Sequence, residues 1–98
     1  MGKYLMLWKF DRSRIPVDIK ERGVGLNMLL EMVKKDMNKG PLNDWGVFPG
    51  ELAGYSVVEG TEVDLMNLIQ QYAPFVYFEV HPTASVAQVE VMIKAMTK

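Results

Sequence analysis

The residues best suited to chemistry lie in the stretch YAPFVYFEVHP, residues 72–82, where Glu79 and His81 interrupt an apolar run two positions apart. A strand sends alternate side chains to opposite faces, so these two share a face with Tyr77, while Val76, Phe78 and Val80 share the other. A carboxylate held among aromatic rings and partly removed from water is a stronger proton acceptor, which makes Glu79 a candidate general base. The structural alternative is that Glu79 sits at a subunit contact, accepting a hydrogen bond from a tyrosine hydroxyl, an arginine or a serine such as Ser56. His81 is the only histidine. It could serve as a general base or haem ligand, or lie exposed at the strand end before Pro82.

Other chemistries find less support. One histidine and no cysteine cannot assemble a usual zinc site, a disulfide or a thiolate nucleophile, so no metal and no cofactor is expected. Lys9, Arg12 and Arg14 follow an apolar segment and could hold an anionic substrate, but a solvated loop explains them as well. ERGVG, residues 21–25, neither follows a strand nor completes a dinucleotide-binding pattern. The eight methionines suit core filling.

The elements that must position these residues follow from periodicity. KYLMLWKF (3–10) is a strand with Tyr4, Met6, Trp8 and Phe10 on one face and Leu5, Leu7 and Lys9 on the other, mostly apolar on both. From Pro16 to Asn38, residues Ile19, Gly23, Leu26, Leu30, Val33 and Met37 recur at helical spacing. Pro16 or Asp18 opens this helix, and Gly40-Pro41 stops it. Gly23 and Gly25 predict an irregular start, with regular helix from near Gly25.

LNDWGVF (42–48) and AGYSVVEG (53–60) form a hairpin around the turn residues PGEL. Thr61 with Asp64 caps a helix whose inward stripe is Leu65, Leu68, Ile69 and Tyr72, and Pro74 ends it. Residues 75–81 are the last strand. Ser85 with Gln88 caps a final short helix lined by Val86, Val89, Ile93 and Met96.

The order strand-helix-strand-strand-helix-strand-helix predicts one α+β domain spanning residues 1–98. This is a ferredoxin-like βαββαβ unit with an extra C-terminal helix. Its four-stranded antiparallel sheet is expected in order 4-1-3-2, with both long helices on one face. The bare face is expected to carry Trp, Tyr and Met side chains, a patch large for a monomer, and a second copy is the simplest cover. Trp8, Tyr55 and Tyr77 are therefore expected at a homodimer contact or, equally, against a ligand.

The motifs WGVF, GYSVVEG and YAPFVYFEVHP, in this order and spacing, resemble a small family of uncharacterised bacterial and archaeal proteins of the dimeric α+β barrel superfamily. The resemblance covers most of residues 3–97. It implies a ferredoxin-like homodimer. That superfamily includes cofactor-free monooxygenases, muconolactone isomerase-like enzymes, chlorite dismutase-like haem proteins and members without known activity, and no catalytic motif of those enzymes matches here.

A net charge of −1 with no basic block argues against nucleic acid as a partner. No stretch approaches the roughly 20 apolar residues of a membrane helix, and the initial apolar run is too short for a signal peptide. A cytoplasmic protein without a membrane partner is expected. Two functions stand. One is a homodimeric binder of a small hydrophobic or aromatic molecule, without catalysis. The other is a cofactor-independent monooxygenase- or isomerase-like enzyme using Glu79 or His81 as proton acceptor. A pocket between sheet and helices that reaches either residue would favour the enzyme.

Overall fold

A computed structural model describes residues 2–98. Strand β1 (Gly2–Phe10) leads through a 3-10 turn at Arg12–Arg14 to helix α1 (Ile19–Lys39). The hairpin β2 (Leu42–Val47) and β3 (Ala53–Gly60) follows, then α2 (Glu62–Tyr72), β4 (Val76–Thr83) and α3 (Val86–Met96). All strand pairs are antiparallel. The sheet order is β2-β3-β1-β4, or 4-1-3-2 counted from the opposite edge. The arrangement is consistent with a ferredoxin-like fold.

Helix ends are set locally. The Asp18 carboxylate accepts from the Glu21 amide at 3.0 Å and fixes the start of α1. The helix is regular from Ile19, contrary to the irregular start expected from Gly23 and Gly25. Both glycines face open space, so they weaken the helix without breaking it. Complete capping boxes open α2, at Thr61 and Asp64, and α3, at Ser85 and Gln88. Strand β4 runs to Thr83, beyond the expected end at His81. Its Pro82 costs no pairing partner because β4 is an edge strand.

The core lies on one face of the sheet. Tyr4, Met6, Trp8, Val58 and Val76 are buried there against Val33 of α1 and Leu65, Leu68 and Tyr72 of α2. Phe78 and Val80 pack against this cluster, so the apolar set of β4 does meet the helices. Trp8 and Met6 therefore belong to the covered face, and the bare face does not carry them. It carries Leu5, Leu7, Tyr55, Val57 and Tyr77, with Glu79 and His81. The alternation in β1 is correct, but its two faces are similarly apolar and alternation alone does not orient them.

The inward face of α1 also differs from the expected stripe. Val33 and Asp36 are buried and Leu29 and Met32 pack on the core, whereas Ile19, Leu26, Leu30 and Met37 remain exposed. The first half of α1 thus stands off the sheet.

No residue of α3 is buried. The chain measures 62 × 27 × 19 Å with a radius of gyration of 16.5 Å, against about 13 Å for a compact chain of this length. The projecting α3 accounts for this elongation.

Candidate functional site

Where α1 stands off, a cleft of about 360 Å³ opens between it and the sheet. Its floor comes from the even-numbered residues of β1, Met6, Trp8 and Phe10, beside Trp45 of β2 and Phe78 of β4. Trp8 and Trp45 stack with ring centroids 5.4 Å apart and planes 7° from parallel. Gly54 makes this possible. A Cβ there would run into the Trp8 ring and the Gly46 carbonyl oxygen, so only glycine lets the indole lie flat across β3. The Trp8 Nε1–H donates to the Tyr55 carbonyl at 3.1 Å, which fixes the ring.

Polar groups in this cleft are few. Ser56 is 2% exposed, and its Oγ is the one buried side-chain polar atom without a hydrogen-bond partner among the described residues. The Tyr72 hydroxyl is engaged, donating to Asp36 Oδ2 at 2.6 Å. Burial, reinforced by that hydrogen bond and the Asp36 charge, pushes the Tyr72 pKa well above the usual tyrosine range. Glu51, exposed, stands at the mouth with Leu26, Leu30, Val47 and Leu52. The site is therefore an apolar slot with aromatic walls and one free hydroxyl.

Glu79 and His81 lie elsewhere. They sit on the bare face, where His81 Nε2 and Glu79 Oε2 are 2.7 Å apart, with side chains 51% and 67% exposed respectively. The partner of Glu79 is thus the histidine two residues on, not Ser56, which occupies the opposite face. Neither residue reaches the cleft. Glu79 does not face Trp8, and its side chain is largely exposed instead of lying among aromatic rings.

Tyr55 and Tyr77 share the bare face with this pair, while Trp8 is on the other side of the sheet. The Tyr55 hydroxyl donates to Asp44 at 3.0 Å, and that hydrogen bond, with some burial, raises its pKa. The Tyr77 hydroxyl donates to Asp11 at 3.4 Å. Asp11 is held below the usual carboxylate range, first by the Ser13 hydroxyl, which outweighs the opposing effect of burial. Arg14 also pairs with Asp11, Nε to Oδ2 at 3.3 Å, so its charge is engaged at this turn. Lys9 projects from the bare face, and neither it, Arg12 nor Arg14 lines the cleft.

No group of three or more histidine, cysteine, aspartate or glutamate side chains is placed to hold a metal ion among the described residues. None of the described helices is long and apolar enough to cross a membrane. Trp45, Ser56 and Asp36 were not legible as site or core residues. Trp45 lies in a polar-looking edge strand, and Ser56 is one small residue in an alternating strand. A polar position such as Asp36 on a helix is ordinarily solvated. A signal for Trp45 did exist in the spacing to Gly54, since a strand glycine marks close approach of another group. No family model matches the chain, and no curated protein matches it.

Proposed function

We propose that the protein is a homodimeric α+β barrel that binds a small, flat hydrophobic or aromatic molecule in the cleft between α1 and the sheet. The observation that carries the ligand reading is Ser56. An unpartnered hydroxyl at 2% exposure costs free energy unless something completes its hydrogen bonding. It lines a slot whose other walls are indole, phenyl and aliphatic groups. The cleft volume of about 360 Å³ suits a molecule of one or two rings, within the range of small-ligand sites. The matching ligand has an aromatic face for the Trp8 and Trp45 rings and one polar atom for Ser56 Oγ.

The dimer reading rests on the bare face. Leu7 and Tyr77 are exposed there, beside the half-buried Leu5, Tyr55 and Val57. A second copy of the same face would cover this patch about a twofold axis. Glu79 and His81 then flank the contact, and the proton acceptors of the enzyme reading lie on the wrong side of the sheet to act on a molecule in the cleft. The reading therefore carries no catalytic step.

Titrating the protein with one- and two-ring aromatic probes while following tryptophan fluorescence tests the site. Saturable quenching that weakens in Ser56→Ala and disappears when Leu30→Trp fills the slot is expected. Quenching unchanged in both variants would place binding elsewhere. Light scattering at micromolar concentration tests the dimer, and a monomer mass would refute it.

A further inference from the structure

We infer that α3 is an exchanged arm, whose apolar surface seats on the mouth of the cleft of a second copy of the chain. This inference rests on the dimeric reading above and adds the element that completes the cleft.

The composition of α3 is that of a buried helix. Of its eleven residues only Gln88, Glu90 and Lys94 are polar, yet every residue is exposed. An isolated helix this short is marginal in water, and its three valines and one isoleucine lower its propensity further. A helix apolar nearly all round forms stably only when packed against something.

Its own chain does not supply that surface at the cleft, since no residue of α3 is buried and none lines the cleft. Strand β4 pairs antiparallel with β1, placing Thr83 beside Lys3 and Val76 beside Phe10. Helix α3 therefore leaves from the end of the sheet opposite Phe10 and Leu52, and from the β4 edge, whereas the mouth lies toward β2 and β3. Spacings along and between strands put Leu52 roughly 25 Å from Thr83. Through the linker Ala84–Ser85 and helical rise, the middle of α3 at Val91 reaches at most roughly 16 Å. In a second copy related by a twofold axis that crosses the strands, the Thr83 end of one sheet lies over the Leu52 end of the other, which shortens the path from the arm to the mouth.

The mouth is the complementary feature. Leu26, Leu30, Val47 and Leu52 are all between 38% and 49% exposed around an apolar slot. The arm contributes Val86, Val89, Val91, Met92, Ile93 and Met96, each with roughly 60–120 Å² of apolar surface to bury. If half of this faces the partner, two arms and two receiving surfaces bury roughly 700–1,400 Å². That approaches a standard stable interface before the bare sheet faces are added. A twofold axis makes the exchange reciprocal, so each cleft gains a wall from the other chain.

The absence of cysteine makes the test direct. Full-length Val47→Cys and Val89→Cys chains carrying different tags are mixed and treated with a short bis-maleimide. A covalent pair of unlike chains is expected, at higher yield than Val89→Cys mixed with Leu7→Cys, which reports the bare face. Absence of the first pair, or a higher yield of the second, overturns the placement. Full-length Val89→Asp/Ile93→Asp, whose changes fall at exposed positions of its own chain, is expected to raise the dimer Kd at least about tenfold. An unchanged Kd overturns the exchange. If the unaltered chain is a monomer, the dimeric reading fails and the exchange with it. If it is a dimer without the Val47–Val89 cross-link, the exchange alone fails.

Discussion

The Tyr72 hydroxyl donates a 2.6 Å hydrogen bond to Asp36 Oδ2, tying the last turn of α2 to the last turns of α1 over the sheet. Both residues are buried, at 6% and 9% exposure. The bond is the one side-chain hydrogen bond between the two helices among the described residues, and Tyr72 lines the cleft. Tyr72→Phe keeps the ring and strands the Asp36 carboxylate. Stability should fall by about 1–3 kcal/mol, the cost of a buried acceptor left without its donor. Chemical denaturation measures this, and a change below about 0.5 kcal/mol would show that solvent reaches Asp36.

The same pair sets an alkaline limit. The Tyr72 pKa is raised, first by burial and then by Asp36. The unfolded chain releases the tyrosine proton near pH 10, while the folded chain still holds it. The contribution of the contact is thus fully present below about pH 10 and is lost as pH rises through the folded value. Tyrosinate absorbance should show one of the four tyrosines titrating only with unfolding. In Tyr72→Phe that late phase should be missing.

Gly54 and the helical glycines should respond oppositely to alanine. At Gly54 an added Cβ meets the Trp8 ring and the Gly46 carbonyl oxygen, so Gly54→Ala should cost about 1–3 kcal/mol by overpacking. Near-ultraviolet circular dichroism should report loss of the Trp8–Trp45 stack. At Gly23 and Gly25 nothing lies within 4 Å, and alanine there should stabilise by about 0.5–1 kcal/mol each. A destabilising effect at Gly23 or Gly25 would mean that this face of α1 is covered.

Glu79 and His81 form an exposed pair, so its contribution to the folded monomer should be under about 1 kcal/mol. Glu79→Leu, measured at concentrations too low for association, should change stability by no more than about 0.5 kcal/mol. This is less than the cost of about 1–3 kcal/mol that a buried Glu79 would incur. A loss above 1 kcal/mol would mean that the carboxylate has buried donors.

The features legible in the sequence are those set by near neighbours in the chain. Thr61 with Asp64 and Ser85 with Gln88 cap helices through bonds spanning three residues. The alternation of residues 76–80 sorts Val76, Phe78 and Val80 from Tyr77 and Glu79 whatever the partner strand. It also puts Glu79 and His81 within reach of each other. What these rules lack is a direction. Strand β1 is apolar on both faces, and only the docking of α1 and α2 sends Trp8 inward and Leu7 outward. The stripe Leu26, Leu30, Val33 and Met37 has helical spacing, but the rotation of α1 is decided by Asp36 meeting Tyr72 and Val33 meeting the sheet. That rotation leaves Leu26 and Leu30 at the cleft mouth. Ser56 acquires its meaning the same way, since an isolated hydroxyl becomes a binding feature only where long-range packing buries it beside an open slot. Burial depends on elements distant in the chain, and no spacing within a strand or helix encodes it.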